Sequence, residues 1–309
     1  MHKYRFLIFI GILSIFLLIL PGASLANDTA QLAQGHANPH KVTFGLRLTG
    51  GVFPFIHNDF NDHLQSYNDF YNDASFFTVG SEFELIKMGM DFSGEILVSP
   101  MPNFSIGIGV GYLSAGKDST LEISHNSYSA DLTFHPNFSV IPITLSFYFG
   151  LPLGSSVAVV LNAGFGYYLG TVNYDVFHES QSGGYSYENL EAWSAKSNAL
   201  GFHGGIDLEF GIARNLAFIV GAKGRYAKIT DLTGDLEYEY DTSYGYSDSG
   251  TVKDLTLWFG DNQDSPTGKK YPMLALSDSK PSGTLWSNVR KAEVNLSGIV
   301  FQAGIKVFF

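Results

Sequence analysis

Eight stretches of this chain alternate apolar and polar residues with a period of two, and every charged residue inside them falls on the polar side. In an extended strand that period puts one kind of side chain on each face. Val42, Phe44, Leu46 and Leu48 open the series, and residues 86–98 follow with apolar or glycine residues on even positions. "FSIGIGVGY" (104–112), "IPITLSFYF" (141–149), 157–169, 200–212, 216–226 and the terminal "IVFQAGIKVFF" complete it. The charged residues within them are Arg47, Lys87, Asp91, Glu95, Asp207, Glu209, Lys223, Arg225 and Lys306. Random parity would put all nine on the polar side roughly one time in five hundred.

Alternation alone also suits a secreted β-sandwich, whose sheets turn one face inward and one to water. Three features favour strands that cross a bilayer. The apolar parity carries aromatics near both ends: Tyr112, Tyr167, Phe202 and Tyr226 at one level, Phe104, Phe149, Phe210 and Phe309 at the other. These match the interfacial girdles of membrane barrels. Connections alternate between tight turns (100–103, 150–156, 213–215) and long stretches around 50–82, 114–137, 171–198 and 229–292. The polar parity is also rich in glycine (Gly107, Gly109, Gly111, Gly164, Gly166), as a crowded lumen requires. The expected fold is all-β: a closed, antiparallel, eight-stranded transmembrane up-and-down barrel over 41–309 with long extracellular loops. Closure pairs every backbone group, which hydrocarbon demands.

The other end fits export. Lys3 and Arg5 precede an apolar run from Phe6 to Leu20, and Ser24 and Ala26 supply the small residues of a cleavage site. This reads as a signal peptide over 1–26, cleaved after Ala26, with a periplasmic segment over 27–40. The chain has no cysteine, which excludes a lipoprotein anchor and any disulfide. Losing Lys3 and Arg5 takes the formal charge from −11 to −13, so nothing favours nucleic acid as a partner. Aromatics at 15% and 34 glycines suit strands.

"FSIGIGVGY", "IPITLSFYFGLP" and "IVFQAGIKVFF" resemble the small outer-membrane β-barrel domain family, the OmpA/OmpX/OmpW-like eight-stranded barrels. The resemblance implies a Gram-negative outer-membrane location, a single barrel acting as a monomer, and contact with outer-membrane lipid and lipopolysaccharide. It also implies that Phe309 is the residue read by the barrel-assembly machinery. No peptidoglycan-binding domain is expected after the barrel, and the long last loop keeps relatives' loop functions from being carried over.

Inside the barrel, Arg47, Lys87, Asp91, Glu95, His203, Asp207, Glu209, Lys223, Arg225 and Lys306 form an expected charge network. Near balance of sign points to a plug, since unpaired charges in a dry lumen are expensive. A narrow, gated, porin-like channel is the alternative, and a hydrolase acting on lipid A or peptides a third. No GxSxG, HExxH or similar motif is present, so no catalytic residue is assigned, and no cofactor or metal is expected. In the fourth loop Asp235, Glu237, Glu239 and Asp241 share one parity, reading as a solvated hairpin or, more sharply, as oxygen ligands for a divalent cation. Exposed tyrosines, Trp258 and Trp286 suit an extracellular protein or glycan at the cell surface.

Overall fold

The computed structural model describes residues 42–55, 58–265 and 267–309. The signal peptide and periplasmic segment read from the sequence lie outside the described residues. Eight long strands follow one another as antiparallel neighbours: β1 (Thr43–Pro54), β3 (Met88–Met101), β4 (Phe104–Gly116), β6 (Tyr128–Pro152), β7 (Val157–Ser182), β8 (Tyr185–Ala213), β9 (Leu216–Tyr226) and β16 (Gly298–Phe308). β16 pairs back onto β1, with Arg47 opposite Lys306, so the ladder returns to its start. Phe309 donates its backbone N–H to Phe44 O at 2.9 Å across that junction.

The chain is not an even set of eight strands joined by loops. Sixteen strands occur among the described residues. β2 (Thr78–Ser81), β5 (Ser119–His125), β10 (Lys228–Ile229), β11 (Thr233–Thr242), β12 (Ser247–Gln263), β13 (Lys270–Ser277), β14 (Trp286–Lys291) and β15 (Val294–Asn295) occupy the stretches expected to be loops. β6, β7 and β8 also run far into those stretches, at 25, 26 and 29 residues. One end of the ring keeps its tight turns, with Asn103 in the left-handed region (φ 65°), a conformation asparagine tolerates. At the other end the extensions build a head.

Long strands persist because their amphipathicity changes sides without a break. On β6 the odd positions face outward throughout. From Ile141 to Phe149 they are Ile, Ile, Leu, Phe and Phe; from Ser129 to Ser139 they are Ser, Asp, Thr, His, Asn and Ser. The inward positions do the reverse, with Ser146 and Tyr148 below and Leu132, Phe134, Phe138 and Val140 above. β7 switches after Leu169 and β8 before Leu200. The switches align, because Ile141 stands opposite Leu169 and Tyr167 opposite Leu200. Below that level the outside is an apolar band, with Leu200 80%, Phe165 65% and Ile108 65% exposed. Above it the inside is a hydrophobic core.

That core closes around the helix α1 (Asp59–Asp73), in a stretch dense in Asn, Asp and aromatics where the sequence pattern predicts a loop. Asn58 caps it by accepting from the Phe60 and Asn61 amides, and Asp59 and Asp62 favour the positive end of its dipole. Phe60 and Leu64 are fully buried, and the Phe60 ring packs on Phe138 and Tyr174 at 4.6 and 5.7 Å. Two turns apart, Asn61 and Asn68 lie on one side of the helix. Asn61 donates to Ile86 O and accepts from its amide, both at 2.9 Å; Asn68 does the same with Phe83 at 3.0 and 2.8 Å. The two amides thus stand in for a neighbouring strand along 83–86.

Candidate functional site

Eight of the ten residues expected in the charge network are buried inside the ring: Arg47, Asp91, Glu95, His203, Asp207, Glu209, Arg225 and Lys306. Lys223 joins them half-buried, 3.8 Å from Asp91. Lys87 does not belong. β3 begins at Met88, and just before it the alternation slips, leaving Ile86 buried and Lys87 exposed. With Lys87 outside, the interior holds four cations and four carboxylates. That balance is what a dry interior needs.

Two groups share the charges. In one, the Arg47 guanidinium lies 3.0 Å from Asp207 and 3.7 Å from both Glu95 and Glu209, while Lys306 reaches both Glu209 oxygens at 3.1 Å. Asn162 and Gln302 donate to the two Asp207 oxygens at 2.9 Å each. In the other, Arg225 donates to Asp91 and to Leu296 O at 2.9 and 2.8 Å, and its guanidinium lies 4.6 Å from the Phe53 ring centre. The glycines of the inner face make room for side chains rather than for water. A Cβ on Gly109 would collide with Glu95, one on Gly164 with His203 and one on Gly166 with Tyr168. What remains between the groups is a cavity of about 30 Å³, room for a water or two.

His203 sits beside a serine and a carboxylate, a grouping that sequence spacing does not reveal. Ser146 Oγ donates to Glu95 at 2.8 Å and lies 3.1 Å from His203 Nε2, so it accepts the imidazole Nε2–H. Tyr148 donates to the other Glu95 oxygen. The order is wrong for nucleophile activation, which needs the imidazole between hydroxyl and carboxylate. Ser146 is also 1% exposed. Ser146, Tyr148, Asn162 and Gln302 share the inward parity of the charged residues, and that parity was the signal that could have found them.

All eight expected girdle aromatics sit on outward-facing positions. Phe202 stacks on Tyr226 at 5.1 Å, Tyr112 stands opposite Phe92, and Phe104 opposite Phe149. In the head, Asp235, Glu237, Glu239 and Asp241 point outward from β11 and are exposed. Asp241 continues a row of directly opposed carboxylates, Glu122, Asp131, Glu179 and Glu188, across five strands. Trp258 is tied down by its Nε1–H to Ser277 O at 3.3 Å, and Trp286 lies half-buried on β14.

The head's inner face is different again. Above the core it carries half-buried tyrosines, with Tyr187 against His178 at 5.2 Å and against Tyr240 at 4.9 Å. α1 is pinned beneath them. Arg290 binds the Asp59 carboxylate through two nitrogens at 2.6 and 2.7 Å, and His63 Nδ1 accepts the Leu274 amide at 3.2 Å. Complete burial pushes the His63 imidazole down to about 3.

No family model matches the chain, and no curated protein does. Among solved structures, a major outer membrane protein from Thermus thermophilus is similar at 13% identity and a TM-score of 0.38, over 87% of this chain and 100% of its own. A likeness this distant says nothing about activity or partners.

Proposed function

We propose that this chain is an integral outer-membrane β-barrel whose lumen is plugged and whose work is done by the head it carries outside the bilayer. The aligned switch of polarity on β6, β7 and β8 carries the reading. Below it the outside is apolar and the inside charged; above it the outside is polar and the inside apolar. A protein surrounded by water throughout has no use for the lower arrangement, since an apolar belt of that extent would aggregate. Roughly ten residues per strand below the switch, tilted about 40°, span about 25 Å, the height of a barrel's lipid-facing band. The girdle aromatics flank that band.

An interior crowded with ion pairs supports a structural or surface-binding role over a channel. A cavity of about 30 Å³ lies between two ion-pair groups, and the aromatic core around α1 caps it. A catalytic role has less support, because the hydroxyl nearest an imidazole is buried and turned toward a carboxylate. The test is planar-bilayer recording of refolded residues 27–309, with folding checked by faster migration of the unheated protein on a denaturing gel. A silent bilayer with folded protein is expected. Discrete openings would make the lumen a channel, and failure of the gel shift would remove the barrel itself.

A further inference from the structure

Glu191 is a half-buried carboxylate on the inner face of the head, with no cation paired to it among the described residues. Its hydrogen-bond partner is neutral, Asn189 donating at 3.3 Å. It stands opposite Val176 on β7 and Tyr238 on β11, two inward positions below Tyr187, whose ring meets His178 and Tyr240. Burial holds His178 below the usual imidazole range, so it supplies no charge at neutral pH. α1 carries no Lys or Arg, and neither do the inward positions of β7 from Tyr174 or of β8 up to Trp193. One step down the same face, the buried Tyr174 hydroxyl and the Trp193 indole N–H have no hydrogen-bond partner among the described residues, their rings 5.3 Å apart. Further up, the tyrosines continue as a platform: Tyr240 meets Tyr246 at 5.6 Å, and Tyr185 stacks on Tyr244 at 4.5 Å.

We propose that this face binds an extended basic peptide of a partner protein, whose Lys or Arg side chain seats against Glu191 among the tyrosine rings. Two features fit that chemistry. A carboxylate without a counter-ion attracts a cation, and the faces of surrounding tyrosines add cation–π attraction that water screens little in a half-buried cup. The platform toward Tyr244 and Tyr246 offers rigid aromatic contact for residues flanking the cation, the role tyrosine plays in binding surfaces. This proposal rests on the head standing outside the membrane.

The test is fluorescence anisotropy of a labelled octalysine peptide with the full mature chain refolded in zwitterionic vesicles. Glu191→Gln and Tyr187→Ala should each weaken binding roughly tenfold. The paired change Glu179→Gln with Glu188→Gln, which removes two charges from the outer carboxylate row, should alter it less than about twofold. Equal loss from the outer pair would reduce the effect to unspecific charge attraction and overturn the proposal. So would equally tight binding of spermine or of a neutral oligosaccharide, or no binding. The gel shift separates the two failures: folded barrels that ignore the peptide sink this proposal alone, whereas unfolded ones sink the barrel reading.

Discussion

Replacing Arg47 tests the interior at its most connected point. Its guanidinium is 3% exposed and faces three carboxylates, Asp207 at 3.0 Å and Glu95 and Glu209 at 3.7 Å. In Arg47→Met the apolar stem is kept and the charge lost, leaving those three carboxylates with Lys306 as their remaining cation, already engaged with Glu209. Removing one partner of a buried pair costs about 3–5 kcal/mol, because the other charge stays buried without compensation. Asn162 and Gln302 still donate to Asp207, so the loss should fall within that range rather than above it. Adding Asp207→Asn to Arg47→Met should recover about 1–3 kcal/mol, since the removed charge no longer opposes folding. Equilibrium urea unfolding in vesicles measures both. Trp193, Trp258 and Trp286 all lie in the head, so their fluorescence follows the head while circular dichroism follows the strands of head and barrel together. A loss under about 1 kcal/mol for Arg47→Met, or no recovery in the double variant, would refute the reasoning.

Three further outcomes are expected. The folded His63 imidazole titrates near 3 against about 6.5 unfolded, so its contribution is complete above pH 6.5 and declines as pH falls toward 3, by about 1.4 kcal/mol per unit. Amide protection factors in α1, taken relative to the base-catalysed intrinsic exchange rate at each pH, should therefore fall between pH 7 and pH 5, and His63→Asn, which can keep the bond from Leu274, should flatten that dependence. Asn68→Ala leaves the Phe83 amide and carbonyl without their partner and should cost about 1–3 kcal/mol, read as faster exchange over 78–86 with the barrel intact. Gly221→Ala would place a Cβ within the Asp207 carboxylate, so the barrel should lose heat-resistant migration on the gel; unchanged migration would mean that Asp207 can move aside.

Much of the lower barrel was legible because its two environments differ so strongly. Period-two alternation located all eight ring strands, and the parity of charge located nine of ten interior residues. Lys87 failed because the alternation slips at Ile86, where the chain leaves the sheet to meet Asn61. The head was harder to read. Its helix is built from residues of modest helix propensity, Asn, Asp, Tyr and Phe, and forms because buried asparagine amides and aromatic packing hold it. The extensions of β6 were present in the pattern. In 128–149 the apolar residues move from even positions, Leu132, Phe134 and Phe138, to odd ones, Ile141, Ile143 and Leu145, with no turn between. A change of parity without a turn marks a strand that is apolar on its outer face at one end and on its inner face at the other.

β6 also offers the most direct test of the central claim, and the absence of native cysteine makes it clean. Single cysteines at Leu145 and His135 would carry an environment-sensitive fluorophore in refolded vesicles, and a cysteine at Ser146, which has no room for one, would be left unlabelled and challenged with a small water-soluble thiol reagent. Quenching by brominated lipid and by a water-soluble quencher would then be compared. Leu145 should be quenched by lipid alone and His135 by the aqueous quencher alone, while the thiol at Ser146 should stay unreacted until the barrel is unfolded. Aqueous quenching at Leu145 would contradict the lipid-facing band, and rapid reaction at Ser146 would contradict the plugged lumen.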